Sequence, residues 1–183
     1  MLHQNYYYFV SSLPCINYGD PPPFTTEAFI EQCNSFLIES DAALIHFCSY
    51  NPKLAVETLE PTGSDFIDFH LMRERTLVLN LAKFRAERLK RAHVGEPLYD
   101  EPVAKTAFEM VDPLEAELAL DRARWAALDE MVNPINNFDV SHLYAYLLKI
   151  QLLERRQRFI AEKGSVEFRK IYDNIFVEFN STV

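Results

Sequence analysis

The stretch Asp139–Lys163, DVSHLYAYLLKIQLLERRQRFIAEK, constrains the fold more than any other. A helix advances about 100° per residue. On that projection Val140, Leu143, Tyr144, Leu147, Leu148, Ile150, Leu152 and Leu153 cover most of the circumference. Only His142, Lys149, Arg156 and Lys163, each seven residues after the last, form a polar stripe. A helix apolar on nearly all sides needs neighbours on nearly all sides. Asp139 suits an N-cap and Gly164 a C-terminal stop. The sequence thus predicts an all-α helical bundle of about six helices around a central buried helix, residues 139–163.

At 183 residues the chain suits a single helical domain, within which residues 1–50 could stand out as an N-terminal helical-hairpin lobe. The aromatic segment 5–14 is expected to be short, extended or helical, and packed on the helices. Thr25 or Thr26 caps a helix to about Glu39, with Phe29, Ile30, Cys33, Phe36 and Leu37 inward. Asp41 caps a shorter helix, and residues 51–63, with Pro52, Pro61 and Gly63, read as a loop. Ser64 opens a long helix to about Ala92. Residues 94–111 form a connection with one helical stretch near 103–110. Asp112-Pro113-Leu114-Glu115 starts a helix that runs to about Val132 and ends before Asn133-Pro134. After Gly164, Ser165 caps a last helix with Phe168, Ile171, Tyr172, Ile175, Phe176 and Phe179 inward.

Charge narrows the classes of function. The net charge of −9 disfavours general nucleic-acid binding and attachment to an anionic membrane. Locally the sign reverses: residues 73–91 hold seven Arg or Lys against two Glu, +5, so the remainder carries −14. Arg75, Lys83 and Lys90 on this helix read as a solvated face or as a docking face for an acidic partner. Tyr6 and Tyr7 are candidates for a protein interface, because aromatics concentrate at interface centres. Cys15, Cys33 and Cys48 lack the close spacing of a zinc site, and reduced thiols in a cytoplasmic protein are expected. The longest apolar runs are too short to span a bilayer, and no secretion signal is recognisable.

Some charges fall on apolar faces. Glu74 and Arg85 share a register with Ile67 and Val78, and Asp121 lies between Leu118 and Trp125. Unpaired charges do not stay buried, so a polar cluster of Glu74, Arg85, Asp121 and Arg124 is expected to join the two helices, most simply through Arg85 and Asp121. Its expected role is structural.

Catalytic signatures are lacking. The five histidines are scattered with no metal-ligand spacing. There is no Gly-rich phosphate loop and no Gly-x-Ser-x-Gly elbow. No catalytic, metal-binding or cofactor-binding residue is assigned, and the chain is not expected to be an enzyme.

Four segments carry a resemblance: NYYYFVSSLP with YGDPPP and the helix after it, RERTLVLNLAKFRAERLK, DPLEAELALDRARWAALDE, and FDVSHLYAYLLKIQLLERRQRF. Together they resemble a family of uncharacterised bacterial proteins encoded alongside V/A-type ATP synthase subunits. The last two are also similar to the C-type (eukaryotic d-type) subunit of rotary ATPases, an all-helical adaptor between the membrane rotor ring and the central shaft. The motifs are helix-packing patterns, and the chain is much shorter than the three-lobed C-type subunit. The resemblance implies scaffold roles for Arg85, Leu118, Asp121, Arg124, Trp125, Asp139, Tyr146, Leu147 and Lys149.

The resemblance implies a non-catalytic soluble subunit or accessory of a V-type ATP synthase or ATPase, serving ion transport. It would contact shaft and ring subunits, without nucleic acid or membrane insertion, in the cytoplasm or at the membrane through the complex. The alternative is a stand-alone helical scaffold or regulatory protein with a different partner. A third reading, an enzyme using Glu74, Arg85 and Asp121, requires an accessible pocket at those residues with a carboxylate of raised pKa.

Overall fold

The computed structural model describes residues 6–57, 60–92, 95–97, 99–132 and 138–159. Among them the structure is all-helical, with the helices packed together. In chain order they are α1 (Tyr7–Ser12), α2 (Thr26–Phe36), α3 (Glu39–Ala42), a 3₁₀ turn (Ile45–Phe47), α4 (Pro52–Glu57), α5 (Asp65–Arg88), α6 (Pro102–Glu109), α7 (Pro113–Met131) and α8 (Val140–Arg158).

Helix starts follow local chemistry. Thr25 accepts the Ala28 N–H, Ser64 that of Ile67, Asp112 that of Leu114 and Asp139 that of Ser141. Pro113 adds a preset φ at the first position of α7. The end of α5 is a Schellman turn: Lys90 N–H donates to Glu87 O and Arg91 N–H to Ala86 O. Lys90 stands in the left-handed region there, at φ 52°.

The expected central helix is α8. Leu143, Tyr144, Leu147, Leu148, Ile150, Leu152 and Leu153 are buried among α1, α2, α5 and α7. Even its polar stripe is partly covered. Lys149 pairs with Asp129 and lies 4.9 Å from the Trp125 ring centre. The Arg156 guanidinium is likewise 4.9 Å from the Tyr18 ring centre. Glu154, on α8, also caps α2: its carboxylate accepts from Thr26 N–H at 2.8 Å and Thr26 Oγ1 at 2.7 Å.

A smaller apolar cluster, Leu77, Ala104, Ala107 and Leu120, joins the second half of α5 to α6 and α7. Asn80 pins the preceding connection, donating to Tyr99 O at 2.9 Å.

Several local expectations need correction. The helix expected after Asp41 is instead α3 followed by the 3₁₀ turn, and Tyr144 Oη donates to Asp41 O. The expected loop 51–63 contains α4, packed on α5. Phe36 faces solvent, 63% exposed, and stacks on Phe9. Within residues 6–50, Tyr6, Phe9, Phe29 and Cys33 share one core with α8. The expected end of the central helix at Lys163 and the last helix after Ser165 lie outside the described residues.

Candidate functional site

Glu117, Asp121 and Arg124 lie on one face of α7 at helical spacing. That face meets Glu74 on α5 and Arg155 on α8. Arg124 grips Glu74 with Nε at 2.9 Å from Oε1 and Nη2 at 3.1 Å from Oε2. Its Nη1 donates to Asp121 Oδ1 at 2.9 Å. Arg155 Nη1 reaches the same oxygen at 3.2 Å, and Nη2 pairs with Glu117. Asp121 is wholly buried. Burial raises its pKa, and the two arginines only partly offset this. For Arg124 the order reverses. Burial opposes its charge, but Glu74 and Asp121 outweigh burial and hold the guanidinium above its ordinary value.

Tyr50 and His70 line this network. The Arg124 guanidinium lies 5.3 Å from the Tyr50 ring centre, and Tyr50 meets His70 edge-on. Burial pushes the Tyr50 hydroxyl well up. His70 Nε2 donates to Ser49 O at 3.1 Å, which fixes the proton on that nitrogen. Burial lowers its pKa against the pull of Glu74. Each charge here has a partner of opposite sign, while the buried Asp121 Oδ2 and Tyr50 Oη have no hydrogen-bond partner.

Arg85 is a correction. The expected Arg85–Asp121 pair is replaced by Arg155 and Arg124, and Arg85 is exposed. The neighbours of α5 change along its length. Ile67 belongs to the core around α8, whereas Leu77 packs with α6 and α7. A register that points inward at Ile67 and Glu74 therefore points to solvent at Arg85.

Arg155 was missed, yet it follows the buried Leu148 by seven residues, which places it on the same face. Tyr50 and His70 gave no comparable signal.

The candidate partner-binding residues scatter. Arg75 Nε donates to Ala55 O at 2.9 Å, tying α5 to α4. Lys83 lies 3.9 Å from Glu96. Lys90 is exposed at the end of α5. Tyr6 is buried, contrary to its reading as interface, and its hydroxyl donates to Asp41 Oδ2 at 2.6 Å. Tyr7 is half exposed, edge-on to Phe138 and Tyr8.

A groove of about 1010 Å³ opens between residues 38–44, the first half of α5, the end of α7 and the start of α8. Phe66 and Tyr144 contribute to its floor and Asp65, Glu130 and His142 to its walls. Glu74, Asp121 and Arg124 do not line it. Among the described residues no group of His, Cys, Asp and Glu is arranged to hold a metal ion. Nor is any described helix long and apolar enough to cross a membrane.

The fold and this network define an all-helical protein whose charged side chains tie helices together. Residues 94–179 match the model of a family described as a protein of unknown function, DUF2764. Comparison with curated proteins finds no match, and none is found among solved structures.

Proposed function

We propose that the chain is a non-catalytic, soluble subunit or accessory of a V-type ATP synthase or ATPase, linking rotor ring and central shaft through protein contacts. The resemblance of residues 112–130 and 138–159 to the C-type adaptor subunit carries this reading. The residues concerned form α7 and α8, and Asp121 and Arg124 in them join α7 to α5 and α8 through buried ion pairs. Such a tie favours a stiff body, which torque transmission needs. The site would be peripheral to the membrane on the cytoplasmic side, with no cofactor.

The test is affinity purification of the tagged chain from its native host, followed by mass spectrometry. The reading expects shaft and ring subunits in stoichiometric amounts. Repeated absence of the chain from an intact, active complex would remove the reading. Recovery of an unrelated partner alone would favour a stand-alone scaffold.

A further inference from the structure

We propose that the groove between residues 38–44, α5, α7 and α8 receives an amphipathic helix of a partner protein, one whose apolar face is flanked by Lys or Arg. Phe66 and Tyr144, members of the buried core, back the groove and offer little surface themselves, so its accessible apolar surface comes from other side chains. Ile38 and Phe69 stand among its lining residues, each 44% exposed.

The charge of the lining selects the occupant. Asp41, Asp65, Glu130 and Asp139 all line the groove. Against them stand His142 and Arg73, and Arg73 is already drawn to Glu101 at 3.5 Å. The N-termini of α5 and α8 also open here, at Ser64 and Asp139. Each helix end contributes about +0.5 of a charge. Counting both ends and Arg73 in full against four carboxylates still leaves a lining near −2. An anionic ligand is thereby disfavoured. Asp41 is occupied by the Tyr6 hydroxyl and Asp139 by the Ser141 N–H. Asp65 and Glu130, both exposed, are left to meet incoming cations.

Exposed apolar side chains edged by carboxylates suit a helix laid in a groove. Its anchors at i, i+3 or i+4, and i+7 settle on those side chains, and its basic flanks meet the acids. The size agrees. A groove of about 1010 Å³ holds roughly two turns of a helix about 10 Å across, the span of such an anchor set. The protein's own residues 160–183 do not supply the charge: Glu162, Glu167, Asp173 and Glu178 outnumber Lys163, Arg169 and Lys170. The inference goes beyond the ATPase reading and does not depend on it.

The full chain is titrated into a fluorescein-labelled helical peptide of about five turns, with Leu along one face and Lys along both flanks. A twin peptide carries Glu in place of Lys. Anisotropy at physiological ionic strength should show saturable binding of the Lys peptide and at least about tenfold weaker binding of the Glu peptide. Glu130→Lys should weaken the Lys peptide by about tenfold. Glu31→Lys changes the net charge equally but lies on α2, outside the groove lining, and should leave affinity unchanged. No saturable binding, equal binding of the two peptides, or equal loss in both variants would overturn the proposal. Each of those outcomes leaves the co-purification test of the ATPase reading untouched.

Discussion

Arg124 is the residue on which the buried charges converge. It satisfies Glu74 and Asp121 together, and neither carboxylate has water enough to stand alone. Arg124→Leu leaves buried Glu74 without the guanidinium that grips it and Asp121 with Arg155 alone. The expected loss is roughly 3–5 kcal/mol of unfolding free energy, read by urea titration. His70 makes a second prediction. Its folded pKa lies below its ordinary value of 6.5, so the unfolded chain binds the extra proton first. Its contribution is fully present above about pH 6.5 and fades as pH falls through the range below. His70→Gln keeps a donor for Ser49 O and removes the titration. The wild type should therefore lose stability relative to this variant between pH 7 and pH 5. Lys90 makes a third. A side chain in the left-handed region at a Schellman turn is strained. Lys90→Gly should raise stability by about 0.5–1 kcal/mol in thermal unfolding.

At the scale of elements, Glu154 adds a polar tie to the apolar contact between α2 and α8. Its carboxylate takes two donors from half-buried Thr26 in the first turn of the partner helix. Glu154→Ala should cost about 1.5–3 kcal/mol and lower the hydrogen-exchange protection of α2 before that of α6. Sequence alone could not reach this contact, because 128 residues separate the partners. What the sequence did carry was local. The caps at Ser64, Asp112 and Asp139 and the near-uniform apolarity of α8 are all legible in a window of a few turns. The missed α4 begins at Pro52, where proline at a helix start resembles proline in a loop. The misplacement of Arg85 has a longer-range cause: periodicity gives a face, and only packing says which neighbour covers it. The groove was invisible for the same reason, since its walls come from four separate segments.

At the scale of the molecule, two apolar clusters share α5 as a common member, and α8 lies in the larger one. The buried ion pairs sit where α5, α7 and α8 meet, so they resist sliding of one cluster against the other. All of this rests on α8 being the innermost element. Native-state hydrogen exchange tests that claim most directly. Amides from Leu143 to Leu153 should exchange only through global unfolding, with opening free energies equal to the stability from urea titration. Exchange of those amides at rates equal to or faster than the amides of α6 would contradict it.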